Sequence, residues 1–450
     1  MTDTASHQTI FAPASSIQKS GVAVIRISGE KAGEALKLLT KKPLPPTRKA
    51  TLTGLYCPFS DELIDKALVL WFAAPASFSG EDTAELHTHG SVAVITLLLE
   101  TLGKIDGLRL ASPGEFSKRA FENQKMDLTE AEGLADLIEA ETSLQAKQAL
   151  AQMQGNLHNL YDHWRSSLIK MQALLEAYID FPDEDIPSNV INKIEKDKEE
   201  LQNNIKNHLS DDRRGERLRN GLQVVILGPP NAGKSSLLNL LANRDVAIVS
   251  DTAGTTRDVI DVHLDISGYP VTLSDTAGLR ENAESIEQEG IRRALERADR
   301  ADLKLLMLDA TDDSRANQEL INSADEHTIL VFNKTDALKS NKSPIACSKP
   351  AVFISVSQQT NIQELLDKLK SHAMHYMGKG ENNAPVVTRA RHRQLLERTV
   401  EHLVHFDVNA DIVLAAEELR GAAHALGQII GRIDVEDILD ELFSQFCIGK

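Results

Sequence analysis

The sequence is poor in cysteine and has no long apolar run, and each shortage excludes a class of protein. Its 450 residues contain three cysteines, Cys57, Cys347 and Cys447, which lie too far apart for a disulfide framework or a zinc site. No apolar run reaches the length of a membrane span, and the N-terminus lacks the charged-then-apolar pattern of a signal peptide. We therefore expect a cytoplasmic protein without a membrane segment.

The sequence also lacks an excess of positive charge. A formal net charge of -17 argues against a surface that coats nucleic acid, because phosphate binding needs clustered Lys and Arg. Two short basic stretches remain, RRGERLR at 213–219 and RARHR at 389–393. Either could contact RNA, although helix surfaces often carry such charges without a function. The composition is otherwise that of a globular protein of two to four domains.

The spacing of apolar residues divides the chain into segments with different secondary-structure patterns. Near the N-terminus, the strand-like GVAVIRIS and ALVLWFA alternate with the helix-like EKAGEALKLLTKK and VAVITLLLETLGKI. A long segment with helical spacing of apolar residues follows, and the same spacing returns after a strand-rich middle segment. A domain inserted into a helical domain is therefore the simplest architecture. We predict a multidomain α/β fold: an α+β domain at 1–118, an all-α domain at 119–215 and 379–450, and a Ras-like P-loop α/β domain inserted at 216–378.

A P-loop gives the strongest functional signal. The apolar strand QVVIL runs into Gly228-x4-Gly233-Lys234-Ser235, which opens a helix. Backbone N–H groups of such a loop surround phosphate, and the helix dipole adds to the attraction. We expect Lys234 to reach the β- and γ-phosphates and Ser235 to hold Mg²⁺. The predicted nucleotide contacts of this loop are Asn231, Ala232, Gly233, Lys234, Ser235 and Ser236.

A second motif selects the base. TILVFNKTD ends an apolar strand in Asn333-Lys334-x-Asp336, and the Asp336 carboxylate can accept two hydrogen bonds from guanine. Adenine would leave that carboxylate unsatisfied, so this motif predicts GTP. The FISVS segment follows, and its residues Ser355, Val356 and Ser357 are predicted to contact the base.

The segments between these motifs agree with a GTPase. VTLSDTAG ends a strand at Asp275, which can hold Mg²⁺ through water, and Gly278 offers its N–H to the γ-phosphate. SDTAGTTRD supplies Thr255 and Thr256, one of which can complete the Mg²⁺ shell. The predicted contacts of the DTAG turn are Asp275, Thr276, Ala277 and Gly278.

One residue that Ras-like enzymes use is missing. They place a water-orienting Gln just after the DTAG turn, where this chain has Leu279. Hydrolysis therefore needs another water-orienting group and a substitute for an arginine finger. The side-chain oxygen of Asn231 could coordinate a monovalent cation beside the phosphates. The residues alone do not rank the acidic candidates, which are Glu281, Glu284, Glu287 and Glu289.

The chain ends in FSQFCIGK, an apolar stretch with a thiol and a final lysine. The spacing imitates a prenylation box, but Gly449 is not aliphatic and no polybasic run precedes it. Phe443, Phe446 and Ile448 could instead pack a final helix. A third interpretation is that the tail reaches into a site elsewhere.

Taken together, the chain resembles the tRNA-modification GTPase family called MnmE or TrmE nearly end to end. The resemblance rests on VAVIRISG, FSGEDTAELHTHG, SPGEFSKRAFENQKMDLTEAEGLADLI, AYIDFPDEDI, GPPNAGKSSLLN, DTAGTTRD, DTAGLRE and FCIGK, in this order. It implies a cytoplasmic homodimer built through the N-terminal domain. It also implies a flavin-bearing MnmG partner, joined in a heterotetramer. The acidic surface favours that partner as the one that binds most of the tRNA. Together they would modify carbon 5 of the wobble uridine.

The resemblance implies that the N-terminal domain holds a tetrahydrofolate one-carbon carrier. Matching motif positions assign its contacts to Arg26, Glu85, Lys125 and the terminal Lys450. The tail would then be a lid on the folate pocket, and Cys447 is a candidate nucleophile. The segment APASSIQKSG departs from the family by lacking its usual Gly-Arg-Gly-Gly run.

Simpler roles for the N-terminal residues remain open. Arg26 lies in an apolar strand and could form a structural ion pair with Glu85. His87 and His89 alternate on a strand and could face a metal, although no third ligand is evident.

For the GTPase site the resemblance implies potassium activation and dimerisation of the inserted domains around GTP. The cation would neutralise charge where an arginine finger would sit. Glu287 matches the water-orienting glutamate, and Thr256 matches the Mg²⁺-binding threonine, so the predicted catalytic residues are Lys234, Thr256 and Glu287. The implied potassium ligands are Asn231, Ser250, Thr252 and Thr255.

Two other functions compete with this one. A GTP switch for ribosome assembly would share the GTPase motifs, but no RNA module of the KH type follows the GTPase segment. Alternatively, the N-terminal domain could catalyse one-carbon transfer alone, with the GTPase as its regulator. Folate binding by the N-terminal domain would separate the first alternative from tRNA modification.

Overall fold

The computed structural model forms two compact units, residues 1–135 with 426–450 and residues 136–425. The residues it describes are 8–180, 189–244, 246–248, 261–275, 301–338, 349–378, 384–433, 439, 442–444, 446 and 449. Among them, no helix combines the length and apolar character that a membrane crossing requires.

The first unit contains a sheet in the order β3-β4-β5-β2-β1-β6. Neighbouring strands are antiparallel except β1 and β6, which are parallel. Its alternating sequences place apolar side chains such as Ile25, Ile27 and Val69 inside. The strands are β1 Thr9–Pro13, β2 Ser20–Ser28, β3 Thr51–Tyr56, β4 Leu63–Phe72, β5 Thr83–Gly90 and β6 Leu108–Leu110.

Helices complete the core of this unit. Leu36 and Leu39 of α1 and Leu98 and Leu102 of α2 are fully buried with the sheet residues. Near the C-terminus, Phe443 joins a separate apolar cluster of the same unit. The helices are α1 Ala32–Thr40, α2 Val92–Gly103, α3 Glu115–Glu122 and the start of α4, which spans Leu128–Glu139.

The second unit begins with long helices. Thr142 and Gln145 form a reciprocal capping box that starts α5. Buried residues of α6 recur every three or four positions, from Leu157 to Leu175, as expected for one apolar helix face. These helices are α5 Ser143–Met153, α6 Asn156–Asp180, α7 Asn189–Leu209 and α8 Arg214–Asn220.

A second sheet follows α8 in the order β12-β11-β10-β7-β9-β8. All neighbouring pairs are parallel except β8 with β9. Near-continuous apolar strands such as LLML fit this sheet because helices cover both of its faces. Its strands are β7 Leu222–Leu227, β8 Asp261–Ile266, β9 Tyr269–Asp275, β10 Leu303–Asp309, β11 Thr328–Asn333 and β12 Ala351–Phe353. The helices are α9 Lys234–Ala242, α10 Arg315–Ser323 and α11 Ile362–Met377.

The chain then returns to the helical part. Helix α12, Ala390–His405, packs against α7, and α13 spans Ile412–Ile429. The structure thus confirms the predicted fold class, with a doubly wound sheet placed between two stretches of helical chain. The predicted division at residues 118, 215 and 378 stays a prediction.

Candidate functional site

The P-loop lies where the sequence predicted it, between β7 and α9. Gly233 has φ +100°, and a Cβ there would lie 2.3 Å from Asn333 Nδ2, so the position requires glycine. Asn231 is also left-handed, with φ +63°. The turn presents Ser235 and Ser236, both exposed, in the first turn of α9. The loop therefore has the backbone geometry that binds phosphate at a helix N-terminus.

The Lys234 side chain folds back over this loop. Its Nζ donates hydrogen bonds to the carbonyls of Gly228 and Pro229, each at 3.0 Å. Lys234 is only 8% exposed, so these contacts satisfy an ammonium that is largely removed from water. Two backbone carbonyls thus hold the predicted phosphate-binding lysine at the P-loop.

Asn333 connects the base-reading motif to the P-loop. Its Nδ2 donates to the Ala232 carbonyl at 2.9 Å, and its Oδ1 accepts from the Val356 N–H at 3.0 Å. Asn333 is 3% exposed, so both ends of its amide are satisfied inside the protein. The structure therefore brings together three segments that are distant in sequence: the P-loop, the end of β11 and the segment after β12.

Asp336 projects from the turn after β11. Its Oδ1 accepts from the Ser355 hydroxyl, and its Oδ2 accepts from the Ser357 hydroxyl at 3.2 Å. The hydrogen bond from Ser355 is the main cause that lowers the pKa of the exposed Asp336 carboxyl. Both oxygens are therefore ionised acceptors held in fixed directions, as a carboxylate that reads two donors of a guanine edge requires.

Asp309 is a residue beside the base-reading motif that the sequence analysis missed. It ends β10 beside Asn333 of β11, and its Oδ2 accepts from Lys334 Nζ at 2.8 Å. Thr311 fixes the other oxygen through its N–H at 2.9 Å and its hydroxyl at 2.7 Å. Partial burial raises the pKa of Asp309, but the hydrogen bonds from Lys334 and Thr311 outweigh this and lower it. A signal was present, since acidic residues at carboxyl ends of neighbouring parallel strands share an edge.

Among the remaining predicted GTPase residues, the structure describes Asp275. Asp275 ends β9 next to Ile226 of β7, on the P-loop side of the sheet. Outside the described residues lie Ser250, Thr252, Thr255, Thr256, Thr276, Ala277, Gly278 and Glu287. Their roles stay predictions.

In the first unit, the predicted folate contacts Arg26 and Glu85 form an ion pair. Nε and Nη2 of Arg26 lie 3.1 and 2.9 Å from Glu85 Oε1. The guanidinium also lies over the rings of Phe78 and Phe116, at 5.2 and 5.7 Å from their centroids. This contact agrees with the ion-pair alternative, and it does not test a folate role.

Other N-terminal candidates have separate partners. Lys125 Nζ donates to the Pro75 carbonyl at 2.9 Å. His89 Nδ1 lies 2.8 Å from Asp65 Oδ1, and the ring of His87 lies 3.5 Å from Glu85. Within the described part of the chain, no group of three metal-ligating side chains is found. Cys447 and Lys450 lie outside the described residues.

The described tail residues favour packing near the C-terminus. Phe443 and Phe446 are 3% and 7% exposed and cluster with Leu128 and Ala131. Gly449 has φ +99°, and a Cβ there would lie 1.9 Å from the Pro13 carbonyl oxygen. The two phenylalanines therefore contribute to a core, as one of the three interpretations of the tail predicted.

Some solved structures share partial similarity with the chain. One is the G domain of the T. maritima FeoB iron transporter, which is 25% identical in sequence. The match covers 34% of this chain and 98% of that chain, with a TM-score of 0.26. Another is Era from Aquifex aeolicus bound to GDP.AlF4-, which is also 25% identical. The match covers 40% of this chain and 65% of that chain, with a TM-score of 0.28.

Full-length relatives are far more similar. The "tRNA modification GTPase MnmE" of Rickettsia conorii is 49% identical over 446 residues, which cover 98% of this chain and 100% of the relative. That of Rickettsia bellii is 49% identical over 450 residues with the same coverage. The family model "GTP-binding protein TrmE N-terminus" matches residues 9–125, and "MnmE helical domain" matches residues 128–447. The chain therefore belongs to the MnmE (TrmE) family of tRNA modification GTPases.

Proposed function

We propose that this protein is a GTPase that acts in tRNA modification. The observation that carries the guanine specificity is the Asp336 carboxylate, oriented by Ser355 and Ser357 beside a P-loop that Asn333 ties to the same edge. A carboxylate in this position pairs with the ring N–H and the amino group of guanine, and adenine lacks that pattern. Membership of the MnmE family supports the link to tRNA.

The phosphate chemistry follows from the P-loop geometry. Lys234 would exchange its two loop carbonyls for the β- and γ-phosphate oxygens of GTP, which carry full negative charge. The backbone N–H groups around Gly233 and the N-terminus of α9 would hold the remaining phosphate oxygens. Hydrolysis would then give GDP and phosphate.

The donor set fits Mg²⁺, a hard cation that prefers oxygen ligands. Ser235 supplies an exposed hydroxyl at the start of α9, Asp275 ends the neighbouring β9, and Thr256 is the further ligand proposed from family resemblance. Mg²⁺ would neutralise charge on the phosphates. Asn231 is exposed and left-handed at the tip of the loop, where its oxygen can face the phosphates, which supports its role as a potassium ligand.

We further propose that water is oriented by Glu287 and that Ser250, Thr252 and Thr255 complete the potassium site. In the N-terminal unit, Arg26 and Glu85 offer a guanidinium and a carboxylate that could turn from each other to a tetrahydrofolate carrier. The other proposed folate contacts are Lys125 and Lys450.

The proposed assembly is a cytoplasmic homodimer with an MnmG-type FAD protein that carries most of the tRNA. The formal charge of -17 supports leaving tRNA binding largely to that partner, because tRNA repels an acidic surface. The three scattered cysteines support a reducing compartment.

GTP turnover in matched potassium and sodium buffers tests the GTPase proposal. The wild type should be faster in potassium, and Asn231→Ala should lose that difference, since the cation substitutes for an arginine finger. Equal rates of GTP turnover in both salts would contradict the proposed potassium site. Absence of turnover in both would overturn the GTPase.

Removal of Lys450 tests the folate proposal. The truncated protein should bind tetrahydrofolate more weakly while its GTP hydrolysis is unchanged. Loss of both would indicate a structural tail. Failure of the intact protein to bind folate would favour a GTP switch of the ribosome-assembly kind.

A further inference from the structure

A buried arginine of helix α3 connects separate segments of the first unit. The Arg119 side chain is 5% exposed, and its Nη1 donates to both carboxylate oxygens of Glu81 at 3.1 Å. Its Nη2 donates to Glu115 Oε1 at 2.9 Å and to the Gln8 carbonyl at 2.8 Å. A guanidinium so far removed from water is stable only with such acceptors. Arg119 therefore ties α3 to the chain before β1 and to the β4–β5 loop, residues 73–82, which contains Glu81.

Glu81 extends this connection to strand β2. Its Oε2 accepts from the Ser28 hydroxyl at 2.7 Å, and the Ser28 oxygen lies 2.6 Å from the Ser79 hydroxyl. Because the Ser28 proton points to Glu81, Ser79 is the donor of the second hydrogen bond. Ser28 and Ser79 are 0% and 1% exposed. Two buried hydrogen bonds therefore anchor the β4–β5 loop to the end of β2.

The anchored loop places Phe78 against Arg26. Arg26 lies two residues before Ser28, on the same face of β2, because side chains alternate along a strand. The Phe78 ring, next to Ser79 in the loop, has its centroid 5.2 Å from the guanidinium carbon of Arg26. The fully buried Phe116 of α3 lies at 5.7 Å from the same carbon. Two aromatic rings at these distances attract a guanidinium and restrict its orientation.

The orientation of Arg26 decides which of its donors can meet a ligand. Nε and Nη2 face Glu85 Oε1, at 3.1 and 2.9 Å. Among the residues that the structure describes, none accepts a hydrogen bond from Nη1. The side chains of Arg26 and Glu85 are 20% and 18% exposed, so solvent still reaches the pair. A ligand that approaches the pair therefore meets a donor that is already oriented.

The β4–β5 loop also holds a second predicted folate contact. Lys125 Nζ donates to the Pro75 carbonyl at 2.9 Å, and Asn123 Nδ2 donates to the Ser79 carbonyl at 2.8 Å. Gly80 has φ +81°, and a Cβ there would lie 2.8 Å from Asn123 Cβ, so the close approach requires glycine. The position of one loop thus affects both Arg26 and Lys125.

We propose that Glu81 is a positioning residue for the folate site: bound to Arg119 and Ser28, it holds the β4–β5 loop so that Phe78 orients Arg26 toward the carrier. The inference rests on the proposed folate role of Arg26. Glu81→Gln tests it with little change in shape. The amide must turn its NH2 group toward Arg119 or Ser28, and both of these are donors to Glu81, so the loop should lose its anchor.

Fluorine NMR on the full-length protein tests the positioning without any ligand. 4-Fluorophenylalanine at position 78 should give one resonance, away from its position in the urea-unfolded protein, because the ring lies over Arg26. In Glu81→Gln the resonance should move toward the unfolded position, and Glu81→Asp should restore part of the shift. Asp65→Asn is the matched control, since it removes an enclosed carboxylate from the same sheet, bound to His89. An unmoved resonance in Glu81→Gln would overturn the proposal.

Calorimetric titration with 5-formyltetrahydrofolate tests the consequence for binding. Glu81→Gln should weaken the affinity by about ten-fold, as for loss of a charge-assisted hydrogen bond to a buried arginine, while GTP turnover and the affinity of Asp65→Asn stay unchanged. Phe78→Leu removes the ring but leaves the anchor in place, and it should weaken binding as well. The double variant should bind within about two-fold of the weaker single variant, because both changes act through one ring.

The outcomes separate this inference from the proposed function. Unchanged folate affinity in Glu81→Gln, or fully additive effects of Glu81→Gln and Phe78→Leu, would overturn the positioning role. Failure of the wild type to bind 5-formyltetrahydrofolate would instead overturn the proposed folate role. The fluorine measurement would still show whether Glu81 holds Phe78 over Arg26.

Discussion

The Asn333 side chain joins the P-loop to the segment after β12, since its Nδ2 donates to Ala232 and its Oδ1 accepts from Val356. The proposed phosphate-binding loop and the proposed base-reading segment therefore share one buried amide. A substitution of Asn333 should therefore disturb both the P-loop and the segment after β12, although Asn333 itself need not contact the nucleotide.

Asn333→Ala should lower the free energy of unfolding of the GTPase domain by about 1–3 kcal/mol, because a buried carbonyl and a buried N–H lose their partners. GDP affinity should fall as well. Urea unfolding and titration with a fluorescent GDP analogue measure the two effects. Ser357→Ala is the comparison, since it removes an exposed hydroxyl from the same region and should leave the stability nearly unchanged. Equal losses of stability from the two changes would contradict the role of Asn333.

Asp336→Asn should shift the nucleotide preference from GTP toward xanthosine triphosphate. The amide replaces one acceptor oxygen by a donor, and xanthine offers a carbonyl where guanine has its amino group. Turnover with each nucleotide at several concentrations gives the two values of kcat/KM. Unchanged selectivity would count against the base-reading role of Asp336.

Asp309→Asn should raise KM for GTP with a smaller effect on kcat. The neutral amide holds the Lys334 ammonium less firmly, and Lys334 occupies a left-handed position with φ +63° beside the base-reading Asp336. A charge-assisted hydrogen bond of this kind is worth about 1.5–3 kcal/mol at most. In a double-mutant cycle with Lys334→Met, the two changes should be less than additive. Full additivity would show that Asp309 acts independently of Lys334.

The stability of the helical part should fall below neutral pH because of His208. Burial is the main cause that lowers its pKa to about 4, against 6.5 for an exposed histidine; the charges of His392 and Arg393 add to this and Asp211 opposes it. His208 is therefore neutral in the folded protein, and its Nε2 contacts the Tyr161 hydroxyl at 3.2 Å. Between these two pH values the unfolded chain binds the proton more tightly, so stability is lost as the pH falls from about 6.5 to 4.

The loss attributable to His208 amounts to about 3 kcal/mol over that range, at 1.36 kcal/mol per pKa unit. Urea unfolding of the wild type and of His208→Gln at pH 7 and pH 5 measures the part that is lost above pH 5, about 2 kcal/mol. The variant should be less stable at pH 7 but should lose less stability on acidification. Parallel pH dependences for the two proteins would show that other groups are responsible.

Local motifs in the sequence were sufficient to predict the P-loop and the base-reading turn. Phosphate and guanine recognition depend on residues adjacent in the chain, and Gly233, Lys234 and Asp336 all lie where their motifs place them. The helices and strands of the described chain were predictable for a similar reason, because apolar spacing reports which face of an element is buried.

Side-chain contacts between segments distant in the chain could not be predicted from the sequence. Arg219 and Arg389 both contact Asp136, which lies 83 residues from Arg219 and 253 residues from Arg389 in the sequence. From the sequence, the two basic stretches were therefore interpreted as candidate RNA contacts or solvated faces. In the structure, Arg219 and Arg389 of these stretches pair with the Asp136 carboxylate inside the protein. Asp309 was missed likewise, because only the register of β10 with β11 brings it to Lys334.

The packing of α12 against α7 has a consequence for how the protein forms during synthesis. Residues 210–389 separate the two helices, so the ribosome must add about 180 residues before α7 receives its partner. At about 5–20 residues per second, synthesis of these residues takes about ten to forty seconds. The GTPase domain is complete before the helical core that carries it. A chain that has emerged from the ribosome as far as about residue 385 should therefore bind guanine nucleotide while its helical part is still open to chaperones.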